Sequence, residues 1–468
     1  MPHANIEAAK AALSHLDIDL NPVSVKAKSR DFFWYSPVLK ARLDHVTADF
    51  VVSPKTEAEV IEVLRVCYAH NVPVTTRGTG TGNYGQAMPL AGGCVLHLHQ
   101  MNRVREIHPG RVITEPGALL KDIDAACIAD SNQELRMFSS TWATATIGGF
   151  VAGGSGGVGS VRWGGLRDLG NIIRLRVVTM EAVPRTLDFT GEDLHRISHA
   201  YGTNGIITEL EMPLAPAYDW VGLFVTLPDF PSANRFAYDL ASEDGTLIKL
   251  ATVFEAPIAQ DYFQRVSPYV KPGQALLALM IAPHAMGAFA TFVARYPGAD
   301  VIYRSDNETW PKEPGRVFEY GWNHTTLRAM KVDPTMTYLQ VGYGFDAPLG
   351  LVDRVRQKFT PEVLQHIEVT RGAGRVQMGG LSLVRFTTEA RLNEIVRIHE
   401  DMGAVIFNPH RYTLEEGGRH SVDTRQLDFK READPKGLLN PGKMIAWDDP
   451  DWAYTQMYAY PGLRKAAE

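Results

Sequence analysis

The sequence has few cysteines, no block of like charges and no long apolar run. Its three cysteines, Cys67, Cys94 and Cys127, form no CxxC pair and no cluster with histidine, so neither a disulfide framework nor a thiolate zinc site is indicated. The 47 Lys and Arg residues are spread among 53 Asp and Glu residues, which argues against the electrostatic signature of a nucleic-acid-binding protein. We therefore expect a reducing compartment and no nucleic-acid partner.

The apolar pattern also argues against a membrane protein. The longest apolar run, residues 275–283, is far shorter than the ~18 residues that a membrane-spanning helix needs. The N-terminal segment MPHANIEAAKAALSHLDIDL lacks the basic region followed by an apolar region that marks a secretory signal. These features predict a soluble, cytoplasmic protein with no membrane span.

The sequence does have enough length and apolar content for more than one folded unit. Hydrophobic residues make up 45% of its 468 residues, and roughly 100–200 residues per domain suggests two or three domains. Strand and helix patterns, and a change of pattern near Ala217, predict an N-terminal extension (1–45), a first domain (46–218), a second domain (219–405) and a C-terminal segment (406–468).

Glycine is the most informative residue because its distribution is uneven. Fifteen of the 41 glycines fall in two windows, residues 77–93 and 148–165, which together contain 35 residues. Ordinary turns use glycine for positive φ angles, but two dense clusters favour another explanation. Consecutive backbone N–H groups of a glycine-rich loop can approach and hold phosphate oxygens. The clusters therefore predict a site for a ligand that carries phosphate.

Each cluster contains a literal GxGxxG, at residues 80–85 and 154–159. In NAD-binding Rossmann domains a helix begins within these glycines, so that its N-terminus meets the pyrophosphate. Here Pro89 and a glycine pair follow the first match, and VRWGG follows the second, so we expect no helix in either run. An NAD-dependent dehydrogenase is therefore disfavoured, and a helix-free loop at residues 78–83 is expected to hold a diphosphate.

The order of motifs resembles the FAD-binding domain of the vanillyl-alcohol oxidase/p-cresol methylhydroxylase family, also called the FAD-linked oxidases. The motifs are SPKTEAEV (53–60), RGTGTGNYGQAMP (77–89), TEPGA (114–118), ATIGGFVAGGSGGVGS (145–160), GTNGIITELE (202–211) and DPKGLLNPGKM (434–444). The resemblance covers residues 49–217 closely and 406–445 by their ending. It implies an α+β fold with a PCMH-type FAD-binding domain of two subdomains, an α+β substrate (cap) domain, and FAD as cofactor.

Carried over residue by residue, the resemblance implies contacts to each part of FAD. The pyrophosphate would lie on Gly78, Thr79, Gly80, Thr81, Gly82 and Asn83, with Gly85 and Gln86 at the edge of this loop. Pro116 and Gly117 would lie against the isoalloxazine. Ser140, Thr141, Thr144, Gly148, Gly149, Gly156 and Gly157 would line the ribityl chain and ring, and Ile206 and Ile207 the adenine. The alternatives are exposed turns for the threonines and core positions for the isoleucines.

Covalent attachment of the flavin is not expected. In family members with a covalent flavin, a histidine commonly stands at the position of Thr81, whereas residues 78–87 contain neither His nor Cys. The resemblance therefore implies non-covalent FAD. His97 and His99 alternate along an apolar strand and are interpreted as structural.

Oxidation of an alcohol by a flavin needs a general base near the departing hydroxyl proton. Family members that act on 2-hydroxy acids carry Gly-Glu-His-Gly near the C-terminus, and here Glu416 stands at the position of that histidine. They often carry paired histidines for a divalent metal, and no HxH-type pair follows residue 219, so no metal is expected. The candidate bases are His324, His410 and Glu416, and a structural role is the alternative for each.

Further polar residues are candidates for the same site. Tyr338 and Gln340 alternate on a predicted strand, and Arg371 or Arg375 would serve as a clamp if the substrate carries a carboxylate. Asn440 and Lys443 close the LNPGK turn, where simple turn chemistry is the alternative.

The leading hypothesis is an FAD-dependent oxidoreductase, either an oxidase or a dehydrogenase. It would transfer a hydride from an alcohol, hydroxy acid or related polar small molecule, a CH–OH donor rather than a CH–NH donor, to flavin N5. Oxygen or another acceptor would then reoxidise the flavin, and a homo-oligomer is compatible with this scheme. The alternative is a flavin-carrying electron-transfer subunit of a larger oxidoreductase complex.

Overall fold

Three β-sheets with helices on their faces form the computed structural model, which describes residues 4–307, 310–418 and 420–453. The end of the predicted C-terminal segment, residues 454–468, lies outside the described residues. The strands are β1 (Ile18–Asp19), β2 (Phe50–Val52), β3 (Val74–Arg77), β4 (Cys94–His97), β5 (Val104–His108), β6 (Arg111–Thr114), β7 (Gln133–Leu135), β8 (Arg174–Val178), β9 (Thr186–Thr190), β10 (Ile206–Pro216), β11 (Val221–Leu227), β12 (Ile248–Phe254), β13 (Ala275–Ile281), β14 (Asp300–Arg304), β15 (Met336–Gly342), β16 (Val363–Leu364), β17 (His366–Gly372), β18 (Arg375–Arg385) and β19 (Val405–Phe407).

The helices surround these sheets. They are α1 (Ile6–Ala12), α2 (Pro22–Lys28), α3 (Pro37–Leu43), α4 (Glu57–Ala69), α5 (Leu120–Ser131), α6 (Ile147–Gly153), α7 (Ser160–Trp163), α8 (Phe230–Ser242), α9 (Ile258–Tyr262), α10 (Met286–Val293), α11 (Asn323–Val332), α12 (Pro348–Phe359), α13 (Glu389–Asp401), α14 (Thr424–Ala433) and α15 (Ile445–Asp448).

The first sheet has the strand order β1-β2-β4-β3, in which β2, β4 and β3 are parallel. Helix α4 connects β2 to β3 and begins at Thr56, whose side chain accepts the N–H of Glu59. Its apolar residues recur at helical spacing and face the sheet, so that Val60, Val63, Leu64 and Cys67 are buried. This β-α-β unit brings the chain directly into the first glycine cluster.

The second sheet is antiparallel, with the order β5-β6-β10-β8-β9 and β7 paired beside β10. Strand β10 is 11 residues long and is the common neighbour of β6, β7 and β8. The first two sheets thus form two subdomains within the first half of the chain.

The third sheet, called the cap sheet here, has nine strands in the order β14-β11-β13-β12-β17-β18-β15-β19, with β16 on β18. Central strand β13 (ALLALMI) is buried at all seven positions. Leu276, Ala278 and Met280 belong to the apolar cluster of the second sheet, whereas Leu277 and Leu279 pack in the cluster that contains α8. Because successive side chains of a strand point to opposite faces, the cap sheet is covered on both faces.

The chain changes sheet between Pro216, at the end of β10, and Val221, at the start of β11. After β19 it returns to the first sheet, where Leu439 forms a parallel bridge with Val74. The N–H of Val74 donates to Leu438 O and the N–H of Asn440 donates to Val74 O, both at 2.8 Å. The LNPGK turn therefore lies beside the strand that leads into the first glycine cluster.

The two glycine clusters differ in local structure. No helix forms between β3 and β4, as expected, but α6 and α7 lie within the second cluster, so the expectation of a helix-free second run was wrong. Thr146 caps α6 by accepting the N–H of Gly149, and Ile147, Phe150 and Val151 are buried. Capping and packing of these apolar side chains outweigh the poor helix propensity of glycine.

A buried ion pair connects the second sheet to the cap sheet. Glu134 of β7 lies 2.7 Å from Lys249 of β12, and their side chains are 9% and 5% exposed. Trp220 Nε1 donates to Glu134 Oε1 at 2.8 Å, and Lys249 Nζ lies 5.1 Å from the centre of the Phe138 ring. The pair therefore fixes the position of one sheet relative to the other.

Substitution of one partner tests this connection. Glu134→Ala leaves the Lys249 ammonium buried without its counter-charge, and we expect it to lower the free energy of unfolding by about 3–5 kcal/mol. Asp346→Ala removes an ion pair to Arg375 whose side chains are 96% and 57% exposed, and should cost less than about 1 kcal/mol. Urea denaturation measures both values, and equal losses would contradict the role of the buried pair.

Candidate active site

The first glycine cluster forms a loop, residues 78–87, that starts where β3 ends at Arg77. Among the described residues, no protein acceptor is bonded to the backbone N–H groups of residues 79–83. A Cβ on Gly78 would lie 2.2 Å from Thr146 Oγ1. Gly80 has φ +75°, and a Cβ there would lie 1.9 Å from Arg77 Nη1. Glycine is therefore required for this backbone path, which leaves five consecutive donors available to an anion.

The N-terminal extension supports this glycine loop through hydrogen bonds. Phe32 N donates to Gly82 O at 2.7 Å, and the Asp31 carboxylate accepts the N–H groups of Phe33 and Ala87 at 2.9 and 3.1 Å. Burial raises the pKa of Asp31 to about 6, while nearby Lys443 and Arg77 act in the opposite direction. The aromatic segment before α3 thus holds the loop in place.

The C-terminal segment also supports this loop, through hydrogen bonds to its backbone. Asn440 Nδ2 donates to Gln86 O at 2.8 Å and to Tyr201 O at 2.7 Å. Lys443 Nζ donates to Gly85 O at 2.5 Å. Burial lowers the pKa of Lys443 to about 7, and the charge of Asp31 partly opposes this effect. Asn440 and Lys443 therefore do more than form a turn.

A cavity of about 1550 Å³ extends from the glycine loop to the cap sheet. Ligand pockets for drug-sized molecules are typically about 300–1,000 Å³, so this cavity has room for a dinucleotide and a substrate together. The predicted cofactor residues that line it are Gly78, Thr79, Gly80, Thr81, Gly82, Asn83, Gln86, Pro116, Ser140, Thr141, Thr144, Gly148, Gly149, Gly156 and Ile207.

Four predicted cofactor residues lie behind the cavity wall instead. A Cβ on Gly117 would lie 2.2 Å from Leu98 O, and a Cβ on Gly157 would lie 2.1 Å from Phe138 O. Gly85 has φ +73° and passes close to Leu43 and Tyr412, and Ile206 is a fully buried core residue. These residues allow neighbouring segments to pack closely and so support the loops that line the cavity.

The three candidate bases have different positions. His324, in the first turn of α11, lines the cavity. Its Nδ1 is buried without a hydrogen-bond partner among the described residues, and burial, together with the charges of Arg328 and Lys331, lowers its pKa to about 4. His324 is therefore a neutral imidazole at pH 7.

His410 and Glu416 do not line the cavity. His410 is buried, with Nδ1 2.7 Å from Ser36 Oγ and Nε2 2.9 Å from Tyr338 O, so both ring nitrogens are engaged by the protein. Glu416 is 3% exposed and lies behind the wall that its neighbours Glu415 and Gly417 form. Of the three candidates, the structure brings only His324 to the cavity surface.

Of the other polar candidates, some line the cavity and others do not. Gln340 lines the cavity, whereas Tyr338 lies behind it with its hydroxyl facing Asn83 and Gln340. Arg371 lines the cavity, but its guanidinium donates to the carbonyl oxygens of Val161, Gly374 and Ala241. Arg375 is paired with Asp346 at the surface. The clamp role of either arginine thus stays a prediction.

His97 is the last residue of β4, but His99 lies in the short 3-10 helix Leu98–Gln100 and not on the strand that the sequence predicted for both. The stacked rings of His97 and His99, 4.0 Å apart, do not line the cavity. Glu368 of β17 does line it, and sequence reasoning missed this residue. The signal was present in His366-x-Glu368, where residues two apart on a strand share a face, but nothing in the sequence showed which face meets the cavity.

The cavity between the two-sheet domain and the cap sheet has the size and the glycine-rich lining that suit an extended, phosphate-bearing cofactor. Residues 48–185 match the family model "FAD binding domain". The glycolate oxidase subunit GlcD of Bacillus subtilis is 32% identical over 177 residues, which are 36% of this chain and 37% of that protein. An uncharacterized FAD-linked oxidoreductase of Mycobacterium tuberculosis is 29% identical over 184 residues, 36% of this chain and 38% of that protein.

Solved structures show the same fold over nearly the whole chain. An alkyldihydroxyacetonephosphate synthase superposes with a TM-score of 0.69 at 16% identity, over 94% of this chain and 86% of the other. The 4-ethylphenol oxidase of Gulosibacter chungangensis superposes with a TM-score of 0.66 at 17% identity, over 94% and 96%. The predicted α+β fold with a PCMH-type FAD-binding domain is confirmed.

Residues 48–185 carry an FAD-binding domain, and the cofactor is FAD. Its own residues fit this cofactor, since free N–H groups and a glycine backbone with no room for side chains face the cavity. The aligned segment spans little more than a third of the length of the first curated relatives.

Two further features concern metal ions and membranes. Residues 4–307, 310–418 and 420–453 contain no group of three or more His, Cys, Asp or Glu side chains arranged to hold a metal ion. Within the same residues no helix has the length and apolar character that crossing a membrane requires.

The buried Lys443 ammonium predicts a pH dependence of FAD binding. Its pKa in the folded protein is about 7, and an anionic diphosphate bound at the loop would favour the charged form. Above pH 7, binding must therefore take up a proton, so the Kd for FAD should rise with pH by up to about tenfold per pH unit. Titration of apoprotein with FAD from pH 6 to pH 9, followed by flavin fluorescence, measures this slope.

Lys443→Met should weaken FAD binding at pH 6 and abolish the rise of Kd above pH 7. The matched control is Lys436→Met, in the same segment, whose ammonium binds Tyr68 O and Asn71 Oδ1 away from the loop. It should keep the wild-type slope. A wild-type slope in Lys443→Met would show that another group takes up the proton.

Proposed function

We propose that this protein is an FAD-dependent oxidoreductase that oxidises a small polar CH–OH donor, an alcohol, hydroxy acid or related molecule. The observation that supports this most directly is a single cavity that joins the free N–H groups of residues 79–83 to polar residues of the cap. Cofactor and substrate can therefore meet in one cavity. The curated relatives include proteins named for glycolate and for D-lactate, which are 2-hydroxy acids.

The residues proposed to hold FAD are those of the predicted set that line the cavity. The N–H groups of residues 79–83 would bind the diphosphate, Pro116 would lie against the isoalloxazine, and Ile207 would lie at the adenine. The residues that would line the ribityl chain and ring are Ser140, Thr141, Thr144, Gly148, Gly149 and Gly156. Because residues 78–87 contain neither His nor Cys, we propose that FAD is held non-covalently.

FAD, when bound, supplies the acceptor for a hydride. The chain's own residues must then orient the substrate and accept its hydroxyl proton. His324 fits the second task because its imidazole is neutral at pH 7 and lies in the cavity wall. Gln340 of β15 and Asn323 beside His324 are placed to hydrogen-bond polar groups of the substrate. Walls formed by Tyr84, Trp322 and Phe407 limit access of water.

A spectrum and an anaerobic titration test this proposal. The purified chain should show flavin absorption, and acid precipitation should release the flavin into the supernatant if it is non-covalent. Addition of hydroxy acids, sugar alcohols and aromatic alcohols without oxygen should bleach the flavin with at least one compound class. Absence of bleaching with every class would favour the alternative, a flavin-carrying subunit, for which the relatives named as glycolate oxidase subunits offer support.

His324→Ala should leave FAD bound and slow flavin reduction by ~10²–10⁴-fold, the usual contribution of a general base. His410→Ala and Glu416→Ala are the comparisons, because these residues lie behind the wall and should keep the rate of flavin reduction near that of the wild type. Stopped-flow absorbance measures the three rates. A wild-type rate in His324→Ala would exclude this histidine as the base.

A further inference from the structure

Glu368 is an almost fully buried carboxylate in the cavity wall, with 1% of its surface exposed. Its Oε2 accepts the hydroxyl of Thr252 at 2.6 Å. Its Oε1 accepts the backbone N–H of Trp322 at 2.5 Å and lies 2.9 Å from His366 Nε2. A buried carboxylate is costly unless such donors surround it, and here both oxygens are engaged by the protein.

The backbone that Glu368 holds has an unusual conformation. Trp322 has φ +50° and ψ −143° and precedes α11 without a side-chain cap. Positive φ is rare for a bulky residue and persists only where its surroundings enforce it. A Cβ on the preceding Gly321 would lie 2.7 Å from Glu368 Oε1, so the carboxylate also packs directly against this turn. The contact with Glu368 thus sets the path by which the chain enters α11.

His366 holds the carboxylate from the other side. It is fully buried, with Nδ1 3.2 Å from Leu381 O and Nε2 2.9 Å from Glu368 Oε1. Each ring nitrogen thus lies within hydrogen-bond distance of an oxygen, one from Leu381 and one from Glu368. The ring of Phe254 stacks against it at 5.0 Å. The orientation of Glu368 is therefore fixed by packing as well as by hydrogen bonds.

The turn held in this way carries the residues of the proposed reaction. Trp322, Asn323 and His324 are consecutive and all line the cavity. Among the described residues, Trp322 Nε1, Asn323 Oδ1 and His324 Nδ1 have no protein partner, so their side chains do not position themselves by hydrogen bonds. Their placement depends on the backbone of the turn, and that backbone depends on Glu368.

We propose that Glu368 is a positioning residue: held by His366 and Thr252, it fixes the turn of residues 321–324 and so directs His324 into the cavity. It acts through the turn and not on the substrate, since both its oxygens are already engaged. The catalytic part of this inference rests on the proposed function, whereas the structural part does not.

The test compares Glu368→Gln with Glu255→Gln. Glu255 is an equally buried carboxylate of the cap, 1% exposed, but it binds Arg356 and the N–H of Gln365 and does not line the cavity. In hydrogen exchange followed by mass spectrometry, Glu368→Gln should speed exchange of peptides that cover residues 320–326 by roughly tenfold, and Glu255→Gln should not. Unchanged exchange in Glu368→Gln would overturn the positioning role, with or without a known substrate.

Flavin reduction tests the link to His324. Glu368→Gln should slow reduction by roughly 10–100-fold, the effect of a misplaced catalytic group. The double variant His324→Ala/Glu368→Gln should be no slower than His324→Ala, because a residue that acts through His324 has nothing left to position. A double variant slowed by the product of the two single effects would show that Glu368 acts independently and would overturn the link.

A milder variant covers the case in which Glu368→Gln does not fold. Thr252→Val removes one donor to Glu368 and keeps the volume of the side chain, so it should raise exchange at residues 320–326 and slow reduction by a smaller factor. Wild-type exchange and rate in Thr252→Val, with Glu368→Gln unfolded, would count against the proposal. If no compound reduces the flavin in the wild type, the proposed function fails, and hydrogen exchange alone decides the role of Glu368.

Discussion

The structure depends on a row of backbone donors that line a cavity and have no acceptor among the residues that the structure describes. Unpaired N–H groups are costly to bury, so a chain that presents several in sequence must hold them rigidly and leave them for a ligand. Here segments towards both ends of the described chain hold the glycine loop in place. Asp31 and Phe32 bind the glycine loop from the N-terminal side, and Asn440 and Lys443 bind it from the C-terminal side.

The second glycine cluster has a different structural role from the first. It contains α6 and α7, and α7 contacts β12 and β17 of the cap sheet. A Cβ on Gly156 would lie 3.5 Å from Trp322 Cη2, so this run passes directly beneath the turn that Glu368 holds. Small residues let the FAD-binding domain approach the cap closely enough for one cavity to span both. The second glycine cluster and the cap sheet therefore border the same cavity, because glycine has no side chain to separate them.

The candidate site was predictable where it depends on local backbone chemistry. Residues 78–83 were identified because closely spaced glycines imply a loop with available N–H groups, and all six line the cavity. Gly117 and Gly157, from the same predicted set, do not line the cavity, and their lack of a side chain serves packing against Leu98 and Phe138. The sequence alone could not separate a glycine that faces a ligand from one that faces another backbone, since both requirements exclude Cβ.

The sequence by itself indicated a ligand that carries phosphate, because a glycine-rich loop is encoded in consecutive residues, and the order of its motifs indicated FAD. Only the tertiary structure decided which polar side chains line the cavity. His324 and His410 both lie in polar, aromatic stretches, yet one lines the cavity and the other is hydrogen-bonded between Ser36 and Tyr338. Glu368 was not predicted from the sequence, and its hydrogen-bond partner in the turn, Trp322, lies 46 residues earlier in the chain. Such contacts arise when strands that are distant in the sequence pair with each other, so no local sequence pattern predicts them.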